Sequence, residues 1–117
     1  MGKLTTHVLD LVRGTPGKGI RIDLYRVDGE TREHLASRVT NDDGRVDSPL
    51  LEAGALTAGT YESVFQAGEY LRAKQPDYQN REFLDEIVIR FCVADANQHY
   101  HVPLLLSNFG YSTYRGS

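Results

Sequence analysis

The stretch IRIDLYRVDG, residues 20–29, alternates apolar and polar side chains and then ends on Asp28 and Gly29. Alternation with a period of two is typical of a β-strand that buries one face, and Asp-Gly is a strong signal for a hairpin turn. The same alternation recurs along the chain, which predicts a protein built mainly from strands. The other predicted strands are residues 4–12, 34–40, 60–66, 86–94, 98–107 and 111–117.

One segment departs from this period. In GEYLRAKQ, residues 68–75, apolar and polar residues no longer alternate, which predicts a short helix that ends before Pro76. The seven predicted strands, or eight if residues 45–47 form a short one, indicate an all-β fold, a two-sheet β-sandwich with one short helix. We expect a single domain over residues 1–117.

The bulk composition excludes several classes of protein. Apolar residues make up 40% and charged residues 25% of the 117, which is normal for a globular domain. The formal net charge of -3 and the scattered arginines offer no basic surface for nucleic acid. No apolar run approaches the roughly 18 residues that a membrane span needs, and the N-terminus lacks a signal-peptide pattern. We therefore expect a cytoplasmic protein without nucleic-acid or membrane partners.

The chain has one cysteine, Cys92, which cannot form an internal disulfide. It lies within the apolar run at residues 87–93, so we expect a buried, unreactive thiol.

Three of the four histidines, His7, His99 and His101, lie on two predicted strands, residues 4–12 and 98–107, and the second of these strands has one apolar face and one mixed face. Residues two apart share a face of a strand, so His7 lies beside Leu9 and Leu11. By the same rule His101 lies beside Pro103. Only one face of each sheet of a sandwich points inward, so a half-apolar outer face predicts an interface or a ligand site.

The pair His99 and His101 raises the alternative of a metal site, because two imidazoles two residues apart on a strand point the same way. His7 could supply a third ligand. No acidic residue flanks the pair, and we expect neither a required metal nor another cofactor. A solvated or hydrogen-bonded side chain is the simplest interpretation of each histidine taken alone.

Four motifs carry a resemblance that covers essentially the whole chain. They are HVLDLVRGTPG at residues 7–17, TNDDGR at 40–45, HYHVPLLLS at 99–107 and YSTYRGS at 111–117. Together they resemble the 5-hydroxyisourate hydrolase family of transthyretin-like proteins. The resemblance implies a transthyretin-like sandwich, hydrolysis of 5-hydroxyisourate in urate degradation, and a homotetramer, a dimer of dimers, with sites where the dimers meet.

Transthyretin itself, a non-catalytic small-molecule carrier, shares the fold and is the alternative. It differs from this chain in having a lysine at the position of His7 and in lacking the YRGS end. These differences favour the hydrolase.

The same resemblance implies the catalytic residues His7, Arg45, His101 and Ser117, and substrate contacts from His7, Arg45, Tyr114 and Ser117. A histidine titrates near neutral pH and can act as a base, and an arginine can stabilise an oxyanion. The sequence leaves open which of the two histidines is the base.

The segment YSTYRGS, residues 111–117, is predicted to be a strand that runs to the last residue. We expect it to form a wall of the site, with Gly116 allowing close backbone approach. Ser117 would contribute its hydroxyl, its amide and the terminal carboxylate. Tyr114 would fill space or donate a hydrogen bond.

Overall fold

The computed structural model describes residues 1–77 and 82–116 and contains, over those residues, ten strand segments and one helix. In chain order they are β1 (Leu4–Thr5), β2 (Val8–Asp10), β3 (Thr15–Pro16), β4 (Arg21–Asp28), β5 (Thr31–Val39), β6 (Gly59–Gln66), α1 (Ala67–Lys74), β7 (Glu86–Val93), β8 (Tyr100–His101), β9 (Leu104–Leu106) and β10 (Tyr111–Thr113). Within the described ranges no helix is long and apolar enough to cross a membrane.

The four long strands form one antiparallel sheet in the order β5-β4-β6-β7. Strands β4 and β5 are the hairpin predicted from residues 20–29, and Gly29 adopts a positive φ of 62° in its turn. The alternation places side chains as predicted, because Ile22, Leu24 and Phe65 are all fully buried. This sheet supplies one wall of the core.

The second layer is assembled from short segments. Strands β10-β9-β2-β3 form one sheet, and β1 pairs with β8 as a two-stranded sheet. The β1–β8 and β2–β9 pairs are parallel, with Leu4 opposite Tyr100 and Val8 opposite Leu104. Val8 and Leu104 belong to the same buried cluster as Ile22 of the long sheet, so the two layers pack face to face.

Both predicted strands that carry a site histidine are interrupted. The run predicted at residues 4–12 is split into β1 and β2, and the run predicted at 98–107 is split into β8 and β9. If β1 with β2 and β8 with β9 are each counted as one strand, the ten segments become eight strands. The predicted β-sandwich with one short helix is confirmed. The eighth strand is β3 rather than residues 45–47, where the structure has only an isolated bridge at Arg45.

Helix α1 is held to the second layer by a buried carboxylate. The hydroxyl of Tyr70 donates to Oδ2 of Asp10 (2.6 Å), and Nη1 of Arg13 donates to the same oxygen (3.0 Å). Burial raises the pKa of Asp10, but the hydrogen bonds from Tyr70 and Arg13 outweigh it and the pKa is lowered overall. The helix predicted at residues 68–75 is confirmed, one residue earlier at each end.

Two expectations about single side chains are wrong. Cys92 is exposed, because its side chain lies on the outward face of β7, whereas those of Ile87 and Ile89 lie on the buried face. Pro103 is buried rather than on the outer face, since the chain leaves the regular strand pattern between β8 and β9. The hydroxyl of Thr113 in strand β10 donates to the carbonyl oxygen of Pro103 (2.8 Å).

Candidate active site

The two histidines selected from the sequence lie side by side. His7 occupies the interruption between β1 and β2, and His101 is the last residue of β8. Nδ1 of His7 lies 2.7 Å from Nε2 of His101, within hydrogen-bonding distance, and the stacked rings have centroids 4.8 Å apart. The parallel pairing of β1 with β8 therefore brings together two imidazoles that are 94 residues apart in the chain.

Thr5 extends this pair into a chain of three side chains. It lies directly opposite His101 in the β1–β8 register, and its Oγ1 is 2.8 Å from Nδ1 of His101. The sequence prediction did not include Thr5. The signal was present, however, because Thr5 precedes His7 by two residues and shares its face of the strand.

Arg45 follows a tight turn that places it beside His7. Its backbone bridges that of His7, and the carbonyl of the preceding Gly44 accepts a hydrogen bond from the N–H of Val8 (2.8 Å). Gly44 has a φ of +73°, and a Cβ there would lie 2.4 Å from the carbonyl oxygen of Val8, so only glycine fits. Arg45 is exposed, and its guanidinium has no hydrogen-bond or ion-pair partner in the described ranges.

The C-terminal segment packs against His101. The N–H of Gly116 donates to the carbonyl of His101 (2.7 Å), and a Cβ at position 116 would lie 2.8 Å from Cδ2 of that ring. Arg115 anchors this approach, because its guanidinium lies 4.0 Å from the ring centroid of Tyr100 and donates to the carbonyl of His99 (3.1 Å). The strand predicted to reach residue 117 ends at Thr113, and the described part of the wall is an irregular segment.

These groups line one open cleft of about 470 Å³. Its lining residues are Thr5, His7, Arg45, His101, Tyr114 and Gly116. The structure thus brings His7, Arg45, His101 and Tyr114 together, as the sequence analysis expected. Ser117, the remaining predicted site residue, lies outside the described residues.

The cleft disfavours protonation of its histidines. Burial, and then the positive charge of Arg45, hold the pKa of His7 below its ordinary value of 6.5. The pKa of His101 is lowered as well. Burial is the largest cause, followed by the charges of His7 and Arg45. Near neutral pH the pair is therefore neutral and able to accept a proton.

The other two histidines lie in different surroundings. Nδ1 of His99 accepts the backbone N–H of Lys3 (3.2 Å). Nε2 of His34 lies near both Oγ of Ser37 (2.9 Å) and Oδ1 of Asp23 (3.1 Å). A serine-hydrolase triad needs serine and aspartate on opposite nitrogens of the ring, so this cluster lacks that relay. Over the described residues no three His, Cys, Asp or Glu side chains are grouped to hold a metal ion.

Comparison with known proteins shows which family this chain belongs to. A 5-hydroxyisourate hydrolase from Pseudomonas aeruginosa is 53% identical over 117 residues, which are 100% of this chain and 93% of that protein. The structure of Klebsiella pneumoniae 5-hydroxyisourate hydrolase superposes with a TM-score of 0.81 at 35% identity and full coverage of both chains.

Two further structures share the fold. (S)-allantoin synthase matches with a TM-score of 0.91 and 44% identity over 99% of this chain, which spans only 44% of that protein. Transthyretin from Sparus aurata matches with a TM-score of 0.85 over 99% of this chain and 97% of its own, and its 24% identity shows the fold alone. The model of the HIUase/Transthyretin family matches residues 4–116, and the chain belongs to that family.

Proposed function

We propose that this chain hydrolyses 5-hydroxyisourate to 2-oxo-4-hydroxy-4-carboxy-5-ureidoimidazoline in urate degradation. The observation that carries the proposal is the hydrogen-bonded pair His7–His101 in one open cleft with the guanidinium of Arg45, which has no partner among residues 1–77 and 82–116. The relative from Pseudomonas aeruginosa, 53% identical along the entire chain, bears the name of this activity.

The reaction needs a base, a site for negative charge and a proton donor. The oxygen of water bonds to a ring carbonyl carbon, the adjacent C–N bond breaks, and the ring nitrogen takes up a proton. A histidine whose pKa lies below 6.5 remains unprotonated at neutral pH, so it can remove the proton from water and return it to the leaving nitrogen. The histidines therefore supply acid–base catalysis, and no redox partner is consumed.

Arg45 stabilises the oxygen that becomes negative as water attacks. Its guanidinium is always charged and presents several N–H donors in a plane, and here no carboxylate of the described residues competes for them. Tyr114, on the same cleft, contacts the substrate, and Ser117 completes the proposed catalytic set on the resemblance alone.

We further propose that the chain assembles as a homotetramer, a dimer of dimers. Support comes from the resemblance, and several large apolar side chains exposed on the described surface would be available to such an interface. They include Leu11 at 50%, Val12 at 45% and Phe109 at 71% exposure. The cytoplasmic location and the single domain over residues 1–117 stay predictions from the sequence.

The activity is tested with 5-hydroxyisourate that is generated in the assay mixture. Urate and urate oxidase generate 5-hydroxyisourate, and its decay is followed by ultraviolet absorbance with and without this protein. The proposal predicts a decay that accelerates in proportion to the protein concentration. A carrier would leave the decay rate unchanged, and that result would overturn the proposal.

A further inference from the structure

Thr5 lies at the inner end of the hydrogen-bonded chain Thr5–His101–His7. The backbone holds it there, because the N–H of Val102 donates to the carbonyl of Thr5 (3.0 Å) within the parallel β1–β8 pairing. Its Oγ1 is 2.8 Å from Nδ1 of His101, and Nε2 of that ring is 2.7 Å from Nδ1 of His7. Each contact is short enough to be a hydrogen bond.

The direction of one hydrogen bond in this chain decides the direction of the next. A neutral imidazole has one N–H donor and one acceptor nitrogen. If Oγ1 of Thr5 accepts from Nδ1–H of His101, then Nε2 of His101 must accept from Nδ1–H of His7. Nε2 of His7 then carries a free lone pair, and it has no partner among residues 1–77 and 82–116.

The opposite direction removes the base. If Thr5 donates to Nδ1 of His101, then Nε2 of His101 carries the proton and donates to Nδ1 of His7. The proton of His7 then lies on Nε2, which cannot take a proton from water. The two arrangements contain the same atoms at the same distances, so the role of Thr5 as acceptor or donor selects between them.

We propose that Thr5 is a positioning residue that accepts the hydrogen bond of Nδ1–H of His101 and thereby presents Nε2 of His7 as the base. This inference rests on the proposed function, and it assigns the division of labour that the sequence left open. During attack an O–H bond of water breaks and an N–H bond forms at Nε2 of His7. The proton on Nδ1 of His7 then shifts to Nε2 of His101, and the resulting imidazolium keeps its Nδ1–H on Thr5.

The return of the proton uses the same path in reverse. Nε2 of His101 gives its proton back to Nδ1 of His7, and Nε2 of His7 protonates the leaving ring nitrogen. Thr5 accepts from Nδ1–H of His101 in every one of these states, so its hydroxyl never has to rotate. Among residues 1–77 and 82–116, the other charged or titratable groups that line the cleft are Arg45, which opposes a positive charge on the pair, and Tyr114.

The first test reads the tautomers directly and needs no substrate. Nitrogen-15 to proton correlation spectra of the full chain at about pH 8 distinguish protonated from unprotonated ring nitrogens. The proton is expected on Nδ1 of both His7 and His101. In Thr5→Val, which keeps the shape but removes the acceptor, His101 is expected to lose this preference. A proton on Nε2 of His101 in the wild type would overturn the inference.

The second test separates the hydroxyl from the packing of Thr5. Thr5→Val is expected to lower kcat by about 10- to 100-fold, the scale known for removing a group that orients a metal-bound histidine. The acid limb of its pH–rate profile, where the rate falls as the pH is lowered, is expected to move to lower pH. The reason is that the imidazolium of His101 loses the acceptor of its Nδ1–H. Thr5→Ser restores a hydroxyl and is expected to restore both kcat and the limb.

Thr6→Val is the matched control. Thr6 follows β1 and is buried, and its hydroxyl donates to the carbonyl of Val102 (2.8 Å), so the variant is expected to lower stability and to leave the acid limb of the pH–rate profile unchanged. A limb that moves equally in both variants, or a Thr5→Val enzyme with wild-type kcat, would overturn the inference. A wild type without activity would instead overturn the proposed function, while the tautomer spectra still test Thr5.

Discussion

Among the residues that the structure describes, the guanidinium of Arg45 is the permanent positive charge that lines the cleft. Arg45 is exposed and unpaired within the described ranges, so it is available to a substrate oxygen. We expect Arg45→Lys to be nearly as damaging as Arg45→Ala, because lysine keeps the charge but loses the planar set of donors. Steady-state kcat/KM of the two variants measures this, with Arg21→Lys on the long sheet as the control. Full activity in Arg45→Lys would show that charge alone suffices.

We expect each of the two cleft histidines, His7 and His101, to couple activity and stability to pH. The folded pKa of both lies below 6.5, so between that value and the lowered pKa the unfolded chain binds more protons than the folded one. The free energy of unfolding should therefore be insensitive to this pair above about pH 6.5 and should decrease as the pH falls through the lowered pKa. Activity should be lost over the same window, as the base becomes protonated.

Rates and denaturant unfolding measured from about pH 5 to 8 test this coupling. The double variant His7→Asn/His101→Asn is the control, and its unfolding free energy should depend less on pH in that window. An acid limb with its midpoint above 6.5, or a flat rate profile, would contradict the lowered pKa values.

At the scale of elements, the C-terminal segment controls the environment of His101. Gly116→Ala introduces a Cβ 2.8 Å from Cδ2 of His101, so the ring or the segment must shift, and kcat is expected to fall by about tenfold or more. Gly110→Ala is the control, because the nearest atom to its Cβ, Oγ of Ser107, is 3.9 Å away. Circular dichroism should show the same fold for both variants. Equal, wild-type rates would mean that the close approach of Gly116 is not needed.

The long strands were predictable because apolar and polar side chains alternate along most of their length. Alternation located β4 to β7 and the hairpin at Gly29, and it would also have placed Cys92 outward had the apolar run not been treated as uniformly buried. The interruptions at His7 and near Pro103 were not predictable, because they depend on how two short parallel pairs and β10 fit together. Those interruptions are where the candidate site lies.

The site itself was predictable in part. Strand alternation and the four family motifs predicted that His7, His101 and Arg45 lie together, and the structure has them in one cleft. The hydrogen bond between Thr5 and His101 was not predictable, because it requires the register of β1 against β8, which joins residues 96 apart in the chain. Long-range register is a property of the folded chain, and one sequence carries little information about it.

At the scale of the whole molecule, the fold provides stability separately from the site. The buried core consists of apolar side chains from both layers, whereas His7 and His101 are only partly buried at its edge. Removing either imidazole should therefore leave the sandwich folded. This separation allows a loss of activity to be assigned to chemistry rather than to unfolding.

The rates of His7→Asn and His101→Asn test most directly whether this pair carries out the hydrolysis. Each variant is expected to accelerate the decay of 5-hydroxyisourate at least about 10²-fold less than the wild type, the scale of general acid–base catalysis, with an unchanged thermal unfolding midpoint. His34→Asn, a surface histidine outside the cleft, is expected to match the wild type. A near-native rate in either site variant would show that its imidazole is not part of the machinery.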